Sequence, residues 1–153
     1  MRSSITYDGE RAKPPPASMK RPFTFDPPPA RKIDLRKKRL GKKGEDLACE
    51  YLRSHGFLIL ERNFQKRYGE IDIIALKDKT LVFFEVKTRV GHMYGKPEEA
   101  VNSRKLHEVV QTAQYYKMLH PELPEAMRID VIGIELDFDH TLIHFNHIEN
   151  VTG

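Results

Sequence analysis

Residues 69–89 read GEIDIIALKDKTLVFFEVKTR: two apolar runs of similar length separated by the polar turn KDK. β-branched and aromatic residues fill both runs, so the stretch predicts an antiparallel hairpin over 69–77 and 80–89. A sheet is thereby built into the core of whatever this chain folds into. Side chains alternate faces along a strand. Ile71, Ile73 and Ala75 are expected on one face of the first strand, with Glu70, Asp72 and Ile74 on the other. In the second strand Val82, Phe84 and Val86 share a face, opposite Phe83, Glu85 and Lys87.

The flanking sequence supplies the remaining elements. GEDLACEYLRSHG (44–56) places Leu47, Ala48, Tyr51 and Leu52 on one helical face and ends at a glycine suited to a left-handed cap. FLILERNF (57–64) reads as a strand. A second helix is expected over about 98–119, opening at Pro97-Glu98-Glu99 with Leu106, Val109, Val110, Ala113 and Tyr116 as its apolar face. RIDVIGIEL (128–136) and TLIHFNHI (141–148) are two further strands around the turn DFDH. The order α-β-β-β-α-β-β, with a helix between the third and fourth strands, allows a right-handed parallel crossover. The expected fold is an α/β sandwich around a central mixed sheet.

The 153 residues suit one domain. Residues 1–40 hold eleven Lys/Arg against four Asp/Glu, whereas 41–153 hold fifteen against eighteen. Seven of the ten prolines also fall in the first forty residues. Residues 1–38 are therefore expected to form a disordered, proline-rich basic tail, and 39–153 the folded domain. RKIDLRKKRLGKK (31–43) is the basic end of that tail. It suits loose phosphate binding; a solubilising extension is the plain alternative. No apolar run approaches the ~18 residues of a membrane span, and the N-terminal residues carry no apolar signal segment. Cys49 is the only cysteine. A reducing, cytoplasmic setting is expected, with no membrane partner.

Asp72, Glu85 and Lys87 interrupt strands otherwise fit for a core. Burying an ion costs several kcal/mol even after relaxation, so the three need compensation. A hairpin register that puts Asp72 beside Glu85 and Lys87 creates a site of hard oxygens suited to Mg²⁺ or Mn²⁺. The lysine then serves as a donor where negative charge develops on a phosphate. The competing explanation is an edge-strand Glu85–Lys87 salt bridge with Asp72 solvated.

Asp72 followed by twelve residues and Glu85-Val86-Lys87 resembles the PD-(D/E)XK nuclease signature. With G-x-x-G-E-D-x-A (41–48), RNF (62–64), GEIDIIA (69–75), FFEVKTR (83–89), the Lys105 helix and RIDV (128–131), residues 41–150 resemble the uncharacterised bacterial YraN family. That family is related to archaeal Holliday-junction resolvases in the restriction-endonuclease-like fold. Ile71 stands where the signature has proline. The resemblance implies Asp72 and Glu85 as metal ligands, with the Val86 carbonyl as a third oxygen. Lys87 would orient water or stabilise the phosphorane, and Glu45 would be a helical carboxylate holding a second metal or its water. The implied activity is Mg²⁺-dependent hydrolysis of phosphodiester bonds in branched or structured DNA, with RNA an open alternative. Paired cutting of a symmetric junction implies a homodimer. The rival expectation is a nucleic-acid-binding or adaptor module without turnover.

Other residues are weighed on both sides. Arg89, Lys96 and Lys105 are candidates for phosphates flanking the cut, and Gln111-x-x-x-Tyr115 resembles the Gln/Tyr helix of RecB-type nucleases. For Gln111 an ordinary solvated helix face is the simpler reading. Glu70 either assists Asp72 or is a charge at the strand entrance. Arg128 and Asp130 fit a family motif or an ion pair. His140, His144 and His147 do not form a zinc site, since 144 and 147 fall on opposite strand faces. Cys49 is read as a packed residue.

Overall fold

The computed structural model describes residues 34–91 and 95–153. Its elements are α1 (Leu35–Ser54), β1 (Leu58–Lys66), β2 (Gly69–Lys77), β3 (Thr80–Val90), a 3-10 turn (Pro97–Ala100), α2 (Ser103–Leu119), β4 (Ala126–Leu136) and β5 (Leu142–Ile148). The five strands lie in the order β1-β2-β3-β4-β5. Every neighbouring pair is antiparallel except β3–β4, which is parallel across the α2 crossover. This is a mixed sheet in an α/β protein, as the sequence led us to expect.

The helices cover opposite faces of the sheet. Ala48, Cys49 and Leu52 of α1 pack with Ile73, Ala75, Val82, Phe84, Ile132 and Ile134. Val109, Ala113 and Tyr116 of α2 pack with Phe64, Ile71, Ile74, Leu81, Phe83 and Ile129. Apolar side chains on both sheet faces are what a parallel central pair requires.

Three features differ from the sequence reading. First, α1 begins at Leu35, so residues 35–38, placed in the tail by composition, are helical. Asp34 caps it by accepting the Arg36 N–H at 3.0 Å, and Lys, Arg and Leu are good helix formers. Leu40 then packs on the α1-side core. The rest of the expected tail, residues 1–33, lies outside the described residues. Second, the expected 98–119 helix is two pieces. Asn102 caps α2 by accepting the Lys105 N–H at 3.0 Å, and Val101 and Asn102 are extended, separating α2 from the 3-10 turn.

Third, alternation fails in β2. Ile71 belongs to the α2-side core and Ile73 to the α1-side core. The break falls at Asp72. On β1, Asn63 lies between the pairs Arg62–Ile73 and Phe64–Ile71 and has φ 53°, a left-handed conformation that asparagine tolerates.

Gly44 sets how closely α1 approaches β3. A Cβ there would collide with the Thr88 side chain, whereas one on Gly41 would meet nothing within 4 Å. Gly41→Ala is therefore expected to stabilise the fold by up to ~1 kcal/mol through helix propensity. Gly44→Ala is expected to destabilise it by forcing α1 off the sheet. Thermal denaturation of both variants checks the contrast, and equal effects would refute it.

Candidate active site

The sheet forks at its centre. β3 stays paired with β4 as far as Val90–Leu136, but its pairing with β2 stops at Ile73–Phe84. Beyond that point the free side of β3 would leave main-chain groups unsatisfied. Asp72 fills the gap: its Oδ2 accepts the Val86 N–H at 2.7 Å. The N–H and C=O of one strand residue point the same way, so the Val86 carbonyl also faces the fork. The break in alternation at Asp72 is thus the same feature that turns its carboxylate toward β3.

Glu85, the residue before Val86, is 8% exposed. Its Oε1 lies 3.7 Å from Lys105 Nζ on α2, and its Oε2 is buried without a hydrogen-bond partner. Burial pushes the Glu85 carboxyl up to about 8, reinforced by the charge of Asp72 and opposed by Lys105. Burial also pushes Asp72 up to about 6; the Val86 N–H lowers it, while Glu45 and Glu70 raise it. Near neutral pH the pair therefore retains a proton.

Such a pair fits a divalent cation. Its donors are hard oxygens, one buried Glu85 oxygen makes no hydrogen bond, and a nearby 2+ charge would offset the burial and the neighbouring negative charge that raise both carboxyls. Asp72 and Glu85 would hold the ion, with the Val86 carbonyl and water completing the shell, as Mg²⁺ commonly requires. Among the described residues, no three His, Cys, Asp or Glu side chains converge into a ready-made cage. Glu45, expected to hold a second metal or its water, faces a basic partner. Its Oε2 is 3.6 Å from Arg62, which also binds Asp46 at 2.8 Å. It acts on Asp72 through its charge.

The other expected residues separate. Lys87 does not pair with Glu85, whose ammonium partner is Lys105; Lys87 instead lines a groove of about 490 Å³ with Lys37, Leu40, Gly41 and Arg89. Lys105, a candidate for a flanking phosphate, is therefore placed beside the acid site. Glu70 does belong at the site, since its charge raises both carboxyls, and it lines a larger groove of about 1030 Å³. Lys96 is exposed ahead of the 3-10 turn, and Gln111 is exposed on α2.

The sequence reading gave the basic run 31–43 to a tail suited to loose phosphate binding, and so missed that from Leu35 onward it belongs to α1. Lys37, Lys38, Arg39 and Lys42 line the larger groove together with Glu45, Arg62 and Glu70. It also missed the role of His147, whose Nε2 lies 2.8 Å from Asp130 Oδ2. Asp130 is fully buried and also accepts from Arg128 at 2.9 and 3.0 Å and from the Asn150 N–H at 2.9 Å. Arg128 and Asp130 thus form the ion pair that was one of their two readings. Burial pushes Asp130 up, but these hydrogen bonds outweigh it and hold the carboxyl below its ordinary range. Cys49 is buried, and its thiol is pushed up by that burial.

Fold and site together define an α/β protein whose five-stranded mixed sheet opens around the half-buried Asp72 and the buried Glu85. The profile of Uncharacterised protein family UPF0102 matches residues 44–134, and the chain belongs to that family. It is 46% identical over 94 residues to a UPF0102 protein of Persephonella marina, covering 61% of this chain and 81% of that one. It is 43% identical over 113 residues to one of Syntrophomonas wolfei, covering 74% and 96%. With one of Geobacter metallireducens it shares 44% identity over 118 residues, covering 77% and 95%. Asp72, Glu85 and Lys87 all fall inside the matched segment; the basic start of α1 lies before it.

The raised carboxyls make stability depend on pH. Because Glu85 titrates at about 8 when folded against an ordinary 4.5, its contribution is complete below 4.5 and lost as pH rises through 8. In EDTA, the melting temperature of the wild type should fall relative to Glu85→Gln between pH 5 and 8.5. Added Mg²⁺ should restore it at pH 8.5 in the wild type only. Parallel curves for the two proteins would contradict the assignment.

Proposed function

We propose that this protein is a divalent-cation-dependent endonuclease of the PD-(D/E)XK kind that hydrolyses phosphodiester bonds in DNA, with branched or otherwise structured DNA as its substrate. The observation that carries the reading is the Asp72–Glu85 pair at a sheet fork, Asp72 half-buried and Glu85 buried with one carboxylate oxygen making no hydrogen bond. The arrangement of a fork, one acid on each of its two strands and a lysine two residues after Glu85 supports the restriction-endonuclease-like assignment, and the basic groove beside it suits a polyanion.

A bound cation supplies Lewis acidity at the scissile phosphate. The chain's own residues do the rest. Asp72 is fixed by the Val86 N–H, and Glu85 is steered by Lys105, so both acids are aimed before substrate arrives. Lys87 donates to the phosphate oxygens as they gain charge. The oxygen of water bonds to phosphorus, one P–O ester bond breaks, and the proton lost by water ends on the leaving oxygen. Glu45 and Glu70 add negative potential that favours the cation.

A second reading, a nucleic-acid-binding module without turnover, is favoured by one observation: Glu45 is tied to Arg62 instead of completing a three-acid cage. Cleavage of labelled single-stranded, duplex, flap, fork and four-way-junction DNA, with RNA counterparts, separates the two. Metal-dependent cutting is expected on a structured DNA, reduced at least ~100-fold in Asp72→Asn and Glu85→Gln and substantially in Lys87→Ala. Full activity in both acid variants would refute the enzyme. Binding without cleavage in the wild type would favour the module.

A further inference from the structure

The turn between β4 and β5 presents an aromatic ring to solvent. Phe138 is 84% exposed, the most exposed large hydrophobic residue among those described. Its backbone is nonetheless tightly held. Asp137 Oδ1 accepts the N–H groups of Asp139 at 2.9 Å and Thr141 at 2.7 Å, and the Asp137 N–H donates to the Thr141 carbonyl at 2.8 Å. The Lys43 ammonium of α1 donates to the His140 carbonyl, tying the turn to the basic helix. A fixed backbone that holds a phenyl ring in water gains nothing for the fold.

The ring's position suggests what it meets. Phe138 Cζ lies 3.5 Å from where a Gly91 side chain would begin, an ordinary contact distance, so the tip of the ring sits beside Gly91. Gly91 directly follows Arg89 and Val90, which line the smaller groove with Lys37 and Lys87. Phe138 therefore stands at the end of a cationic groove running along α1 and β3. The neighbouring acids, Asp137 and Asp139, sit in the turn itself, and Asp137 is engaged by main-chain N–H groups.

Resting on the nucleic-acid substrate proposed above, we infer that Phe138 is a base-stacking residue, taking an unpaired base of a strand whose phosphates follow the groove of Lys37, Lys87 and Arg89. Aromatic rings at the ends of basic channels bind single strands because every base offers a π-face. A duplex has no free base there, so the contact selects strands that are single or leave a branch point.

The chain contains no tryptophan, so Phe138→Trp places a lone fluorophore at the site. Full-length protein in EDTA is titrated with single-stranded DNA, a flap and a blunt duplex, following tryptophan emission and DNA anisotropy together. Strong quenching by the single strand and flap, and little by the duplex, is expected. Phe138→Ala should weaken single-strand binding by roughly five- to a hundred-fold without changing the melting temperature, and Phe138→Leu should not rescue it. DNA bound without quenching, or full rescue by leucine, would overturn the inference, the latter pointing to an apolar protein contact. So would the absence of DNA binding. Quenching in a protein that cuts nothing would support this contact while removing the nuclease.

Discussion

The hydrogen bond from the Val86 N–H to the Asp72 carboxylate holds the centre of this structure together. It replaces a missing strand pairing, and so it allows β2 and β3 to part without leaving a buried amide unsatisfied. Parting the strands creates the space in which Glu85 lies. Without the fork, Asp72 would be one more alternating strand residue, and Glu85 would be enclosed between two paired neighbours. The same carboxylate thus closes the main-chain account and raises the pKa of Glu85 by its charge. Structure and chemistry depend on one contact.

Around that contact the protein sets charges of opposite sign on different elements. Lys105 approaches Glu85 from α2, and Glu45 influences Asp72 from α1 while being held by Arg62 of β1. α1 approaches β3 closely at Gly44, and its basic first turns line two grooves, one with Glu45 and Glu70 and the other with Lys87 and Arg89. Acid at the centre with base around it suits a cation and a polyanion bound together. On the α1 face, the Asp130–His147–Arg128 cluster pins β5 and the chain beyond it to β4 through hydrogen bonds to the buried Asp130 carboxylate.

Much of this was legible in the sequence. The hairpin, the parallel crossover and the two-layer covering follow from apolar periodicity, and Asp72 and Glu85 stood out because they interrupt it. What was not legible has physical causes. Alternation predicted one face for Ile71 and Ile73, but the left-handed Asn63 and the fork put them on opposite faces. Composition marked residues 35–38 as tail because charge dominates there, although Lys and Arg favour helix once Asp34 caps it. Periodicity ran the second helix through Val101 because a local cap at Asn102 competes on equal terms with a continuous helix. The Lys105–Glu85 and Asp130–His147 partnerships join residues 20 and 17 positions apart, and side-chain pairing over such distances leaves no local trace. His147 was weighed only as a zinc ligand, and its role came from a carboxylate no spacing rule identifies.

The central claim is that the Asp72–Glu85 pair is built to hold a divalent cation, and calorimetric titration with Mn²⁺ tests it most directly. Run at pH 7 in buffers of different ionisation enthalpy, the titration should show binding coupled to release of about one proton, since Glu85 titrates near 8 until a cation displaces its proton. Glu85→Gln should abolish that binding and the proton release with it. Saturable binding of equal strength in the variant, or none in the wild type at millimolar metal, would contradict the account.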